Sequence, residues 1–233
     1  MLSPAAGRDK SCGYLAGICI IRGMRGAMAA TNRYVLGEEL APEFQCETEG
    51  SFIIPTEAVP TITDLCGMGE TVSITLHGEN SVSVECGGAK LDTQLLAGEF
   101  PPYPRVIPTN FNAIFATTPG EFLATLHRGA NVVDALGAPE RSPSAVVVAY
   151  DGGSLTMSSK GTDGEETKDV CSVDPVMGKP VKFAASFAYL KYAATSLESY
   201  DKIEVCVVDE KTPILFRSEA SNGSTRLVFP RAF

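Results

Sequence analysis

The sequence holds two histidines, His77 and His127, the side chains best suited to general acid–base work. With the many serines they would permit a Ser/His/Asp hydrolase on paper, but no nucleophile elbow of the form GxSxG is present. His127 falls among apolar neighbours in a predicted helix, where packing is the better reading than catalysis. Seven cysteines, Cys12, Cys19, Cys46, Cys66, Cys86, Cys171 and Cys206, are scattered without a CxxC pair, and the two histidines stand apart in a predicted strand and a predicted helix. A structural or catalytic zinc site has little to work with. An odd, dispersed set reads instead as reduced thiols in a cytosolic compartment, several of them filling strand interiors. Gly67, Gly69, Gly87 and Gly88 lie in turns and open no GxxxxGK[ST] loop. The acidic stretch Asp163 to Glu166 lacks the alternating ligands of a calcium loop and reads as a solvated turn. These residues point away from an enzyme and call for no cofactor and no metal.

The elements around them are mostly strands. Runs such as GYLAGICII (13–21), AMAATNRYVL (27–36), VSITLHG (72–78) and KIEVCVV (202–208) alternate or are β-branched, and short Gly/Asn/Asp turns divide them, so antiparallel meanders are expected. Helices are few. The clearest begins at Thr118, where TPGE supplies an N-cap, a proline at the first helical position and Glu121 three residues on; Phe122, Leu126, Gly129 or Ala130, and Val133 then share a face. A second helix follows Ser186 with Phe187, Leu190, Ala194 and Leu197 as its buried stripe. Between Thr56 and Leu65 a third carries Pro60, which breaks it unless the helix begins there.

A repeat organises these elements. The pattern SFIIP, helix, TVSITLHGENSVSVEC, KLDTQLL recurs as VKFAAS, helix, DKIEVCVVDEKTPILF, TRLVFP. Ile53 matches Phe183 at an offset of 130 residues, and Val72 matches Ile203 at 131. A spacing held across a helix and several strands predicts two duplicated domains, set here at 1–107 and 108–233. The 233 residues and 44% hydrophobic content suffice for two cores. The helix at Thr118 has no counterpart after Met1, so the first domain is expected to lack its opening strand and helix, leaving apolar surface and a free sheet edge that something must cover. A net charge of −9 argues against simple coating of a polyanion unless basic groups gather on one face. Arg22 and Arg25 spoil the apolar run after Lys10 as an export signal, and no run approaches the roughly 20 apolar residues that cross a membrane, so a cytoplasmic protein without membrane attachment is expected.

GEFPPYPRVIP (98–108) is similar to the G-x-F-P-x-Y-x-x-V-I-P junction of the bacterial and phage DNA polymerase III β subunit, the sliding clamp. ATNRYVL (30–36) resembles that family's A-T-D-x-x-R-L segment, and VFPRAF (228–233) resembles its V-M-P-M-R-L ending. The resemblance spans Tyr14 to Phe233 and matches the family's middle and C-terminal domains. It implies an α+β DNA clamp fold of tandem domains, each with antiparallel sheets and two helices. It further implies a non-enzymatic processivity factor of DNA replication, in which domains close a ring around double-stranded DNA without reading its sequence. The residues it would turn toward DNA are Tyr14, Arg128 and Lys191, each with an alternative as an ordinary solvated or packing residue. It also implies an interdomain pocket for short peptides of DNA polymerase and clamp loader. The matching residues are Leu15, Thr31, Leu36, Pro101, Arg105, Val106, Pro213, Leu227, Val228, Phe229 and Pro230, of which Leu15, Leu36 and Val228 would serve any β core equally well. Asn32, Val35, Phe229, Arg231 and Phe233 depart from the family pattern, and the stiff Phe229 ring replaces a flexible methionine. Two domains per chain imply a homo-oligomeric ring of three. The rival reading is a clamp remnant that keeps the peptide pocket as an adaptor and never encircles DNA; a third is that Met1 is a misread start of a longer clamp gene.

Overall fold

The structure, a computed structural model, describes residues 2, 5–7, 13–130, 145–161, 164–218 and 223–231. Cys12, Val133, Asp163 and Phe233 therefore lie outside the described residues. The chain divides into two compact units, Met1–Pro102 and Tyr103–Phe233.

Unit 1 begins with four strands, β1 (Gly17–Arg22), β2 (Ala27–Thr31), β3 (Val35–Leu40) and β4 (Gly50–Pro55). They form antiparallel neighbours in the order β3-β2-β1-β4. Helix α1 (Val59–Cys66) follows, then an antiparallel meander of β5 (Val72–His77), β6 (Ser81–Cys86) and β7 (Ala89–Gln94). Leu65 of α1 packs on Val84 and Cys86 of β6, with Ile62, Ala89 and Leu91 around them.

Unit 2 contains β8 (Ala113–Thr117), α2 (Pro119–Gly129), β9 (Ala145–Tyr150), β10 (Ser154–Lys160), β11 (Glu166–Ser172), β12 (Asp174–Gly178) and β13 (Val181–Ser186). Helix α3 (Phe187–Thr195), β14 (Ile203–Val207), β15 (Ile214–Ser218) and β16 (Thr225–Val228) complete it. Its strands run β11-β10-β9-β13 in one sheet and β12-β8-β14-β15-β16 in the other. The first order repeats β3-β2-β1-β4, and β14-β15-β16 repeats β5-β6-β7, with a helix after β4 and after β13. The offset read from sequence is thus a repeat of topology. Among the described residues unit 1 has nothing in the places of β8 and α2.

Local chemistry explains most of the elements. Thr118 caps α2: its Oγ1 accepts from the Glu121 N–H at 3.1 Å, and the Glu121 carboxylate lies 3.4 Å from the same hydroxyl. Phe122, Leu126 and Gly129 of α2 are buried, and Phe122 meets Phe216 of β15 edge to face at 5.4 Å. In α3, Phe187, Leu190 and Ala194 are buried, and Leu197 is buried just beyond the helix end. Pro60 starts α1 rather than breaking it, because the chain turns through a 3-10 segment at Thr56–Ala58 and the proline falls in the first helical turn, where no N–H partner is lost.

Two expected strands are corrected. GYLAGICII opens as a 3-10 turn at Gly13–Ala16, and β1 starts only at Gly17, where a side chain would collide with Ile53. AMAATNRYVL is two strands joined by a turn. Asn32 Oδ1 accepts from the N–H groups of Tyr34 and Val35, both at 2.9 Å, and Arg33 takes φ 77°, a left-handed turn that no continuous strand could contain. β12 escapes sequence reading because DPVMG carries a proline, is exposed throughout and joins β8 through a register shift. Among the described residues no helix is long and apolar enough to cross a membrane.

Replacing Thr118 by Ala is expected to cost about 1 kcal/mol of stability through loss of the α2 cap. Urea unfolding measures this; an unchanged midpoint would mean the cap contributes nothing.

Candidate functional site

The side chains with catalytic potential are engaged in structure. Ser83 Oγ donates to the Asp92 carboxylate and lies 2.5 Å from His77 Nε2, across neighbouring strands β5, β6 and β7. The hydrogen bond from Ser83, helped by Lys90, holds the Asp92 carboxyl below the usual carboxylate range. The order Asp–Ser–His inverts what a hydrolase needs: the acid grips the serine proton instead of orienting the imidazole. Sequence reading missed this cluster, since only the β5–β6–β7 register assembles it. His127 stacks edge to face on Phe187 at 5.3 Å, the packing role expected of it. No group of three potential metal ligands occurs among the described residues. Burial pushes the thiol of Cys19 up to about 11 and that of Cys206 up to about 12, so both stay protonated and unreactive at neutral pH. Cys46 is exposed.

Of the residues expected to face DNA, two lie on neighbouring helices. Lys191 of α3 is exposed with its ammonium 5.7 Å from the centre of the Phe187 ring, the same ring that His127 of α2 touches. Arg128, next along α2, is exposed too, but its Nε donates to Asp169 of β11 at 2.8 Å. Exposed pairs of this kind contribute about 0–1 kcal/mol, so a phosphate could compete for the guanidinium at small cost. Tyr14, in unit 1, is half-buried and meets Phe100 edge to face at 6.1 Å.

The expected peptide-binding residues separate into buried and accessible sets. In unit 1, Leu15, Thr31 and Leu36 are buried; Thr31 pairs with Leu36 across β2 and β3, and its hydroxyl donates to the Val35 carbonyl at 2.8 Å. Pro101 is half-buried. In unit 2, Leu227 and Val228 are fully buried on β16, opposite Leu215 and Ile214, which leaves Pro213 and Phe229 flanking the last pair. Pro213, Phe229 and Pro230 are half-buried, and the Arg231 N–H ties this tail to the Ala184 carbonyl at 2.8 Å. Arg105 and Val106, on the 3-10 turn Tyr103–Val106, are exposed. Pro101, Arg105, Val106, Pro213, Phe229 and Pro230 thus keep accessible surface, while Leu15, Thr31, Leu36, Leu227 and Val228 are buried.

Charge adds a feature that sequence reading passed over. From Tyr34 to Ala89 the chain has ten carboxylates and no Lys or Arg. Only Glu38 among them is buried, and it is paired with Arg25 at 3.0 Å.

Two units, each an antiparallel sheet, a helix and a meander in one order, define an α+β fold of the DNA-clamp class. The particular resemblance is to the bacterial β sliding clamp, the DNA polymerase III β subunit. The chain is 28% identical to the β sliding clamp of Streptomyces coelicolor over 137 residues, 56% of this chain and 36% of that protein. It is 21% identical to that of Staphylococcus aureus over 178 residues, 76% of this chain and 46% of that protein. Among solved structures, the β subunit of Pseudomonas aeruginosa superposes with TM-score 0.88 at 18% identity, covering 99% of this chain and 62% of the other. That of Thermotoga maritima gives 0.87 at 19%, covering 100% and 61%. No family model matches the sequence. The chain spans less than half the length of these curated relatives.

At about pH 8, iodoacetamide is expected to label Cys46 quickly and to spare Cys19 and Cys206 in the folded protein. Peptide mass mapping reads this, and equal labelling of all three would contradict the burial.

Proposed function

We propose that this chain is a clamp-type module of DNA replication, cytoplasmic and without catalytic activity, that encircles double-stranded DNA as a homo-oligomeric ring and tethers peptides of DNA polymerase and clamp loader. The observation that carries the reading is a whole-chain likeness to solved β subunits that coincides with sequence similarity to curated β sliding clamps. Arg128 and Lys191 are the proposed phosphate contacts, with Tyr14 beside the DNA. Loose contacts of this kind, screened by salt, suit a protein that slides. For the peptide, Phe229, Val106 and the prolines 101, 213 and 230 offer apolar surface. Arg105 offers donors for a carbonyl or carboxylate. Leu15, Thr31, Leu36, Leu227 and Val228 are the buried members of the proposed set.

A second reading, an adaptor that binds peptides without encircling DNA, is favoured by one observation. The acidic stretch 34–89 includes α1, and a helix without Lys or Arg among ten carboxylates repels phosphate.

Retention on closed circular DNA, lost once the circle is linearised, is the outcome expected of a ring; retention on neither form would leave the adaptor. In light scattering three chains are expected, and a monodisperse monomer at micromolar concentration would remove the ring of three. Phe229→Ala is expected to weaken a fluorescent polymerase-tail peptide at least tenfold, about 1.4 kcal/mol; unchanged polarisation titrations would displace the peptide site from this tail.

A further inference from the structure

Two cysteines of unit 1 come together where α1 lies on its meander. Ile62, Leu65 and Cys66 fall at i, i+3 and i+4 along α1 and so share one face of it. That face is the one turned to the sheet, because Leu65 packs on Val84 and Cys86 of β6 and Ile62 packs on the same cluster. Cys66 ends the helix beside them. The Cys86 thiol donates to the Cys66 carbonyl oxygen at 3.9 Å, an atom on the backbone that carries the Cys66 side chain.

The two thiols differ in access. Cys66 is half-buried and Cys86 is buried, so a small solute can reach the first sulfur while the second is shielded. Burial, with the nearby Cys86 adding to it, pushes the Cys66 thiol up, and its thiolate is a minor species at neutral pH. The backbone around the pair can adjust. Gly67 and Gly69 follow Cys66, and a side chain at Gly69 would stand 3.3 Å from the Cys86 sulfur. The turn after α1 therefore passes close over the end of β6, and its glycines let it shift as the thiols rotate toward each other. Bridging needs that shift, since an S–S bond is only about 2 Å long.

We propose that Cys66 and Cys86 form an oxidative modification site, at which hydrogen peroxide converts the dithiol to a disulfide that fastens the end of α1 to the end of β6. The Cys66 thiolate attacks one peroxide oxygen: an S–O bond forms, the O–O bond breaks, and hydroxide leaves as water with the proton that the thiol released. Cys66 is then a sulfenic acid. The Cys86 sulfur attacks it, the S–S bond forms, the S–O bond breaks, and the second hydroxide takes the Cys86 proton as water. Two thiols lose two electrons and one peroxide becomes two waters. Exchange with a small thiol restores the dithiol, which is the resting form in a reducing compartment. The bond ties residues 20 apart in sequence, with β5 between them, and so restrains the unfolded chain. The proposal depends neither on ring closure nor on the peptide residues.

The test uses the full chain carrying Cys46→Ser, which removes the exposed thiol. Cleavage after glutamate separates the two cysteines, into peptides 58–70 and 86–99. After hydrogen peroxide these are expected in non-reducing mass spectra as one linked species, two hydrogens lighter than their sum. Dithiothreitol is expected to release them, and Cys66→Ser to prevent the link. Its rate is expected to rise at least tenfold between about pH 7 and pH 9, because the thiolate is the attacking form. The urea midpoint is expected to rise on oxidation, to fall back on reduction, and to ignore peroxide in the Cys66→Ser variant. Unlinked peptides with Cys66 as sulfinic or sulfonic acid would overturn the proposal. So would a link that forms only in the urea-unfolded chain.

Discussion

An antiparallel sheet with one apolar face has to cover that face, and in this protein a helix laid across a meander does so. Leu65 on Val84 and Cys86 performs this in the first unit, and Phe122 on Phe216 with the α3 stripe in the second. The rest of the architecture follows from the coupling. Strand order places the helix after β4 and after β13, the helix fixes which strand residues are buried, and the exposed side of the helix becomes the surface that can meet a polyanion. Where cover is complete, as over β14, strand residues disappear from solvent. Where it is partial, as over β5, valine and isoleucine remain at the surface.

Electrostatics then distinguishes the surfaces of the two units. The second unit presents Arg128 and Lys191 on adjoining helices, and Asp169 holds the arginine in an exposed pair that a phosphate can replace. The first unit offers carboxylates on α1 and around β5. A chain with net charge −9 can still approach DNA through local cations, because screening over roughly 8–10 Å at physiological salt makes the nearest charges matter more than the total. Chemistry at a reactive centre has no comparable support: Ser83 donates its hydrogen bond to the Asp92 carboxylate, His127 packs on a phenylalanine, and the buried thiols are held protonated.

Much of the fold was legible because it is written in local patterns. The constant offset between Ile53 and Phe183 exposed the duplication, TPGE exposed the capped helix, and the spacing of Phe187, Leu190 and Ala194 exposed the buried stripe. Misreadings came where a single side chain redirects the backbone. Asn32 gathers two backbone N–H groups and makes a turn inside what looks like one strand, and β12 pairs despite Pro175 because it lies at a sheet edge. Of the candidate peptide residues, sequence similarity could name all eleven. It could not separate Leu227, buried on β16, from Val106, open to solvent.

Hydrophobic periodicity, turn residues and helix caps act within a few residues of themselves, so the amino-acid order alone determined most of the strands, most helix ends, the repeat and the absence of catalytic and metal motifs. Register and cover depend on residues brought together from far along the chain. Only the tertiary structure could therefore decide that Asp92, Ser83 and His77 meet, that Asp169 holds Arg128, and that Val72 and Ile74 of β5 keep exposed surface while Ile203 and Val205 of β14 do not.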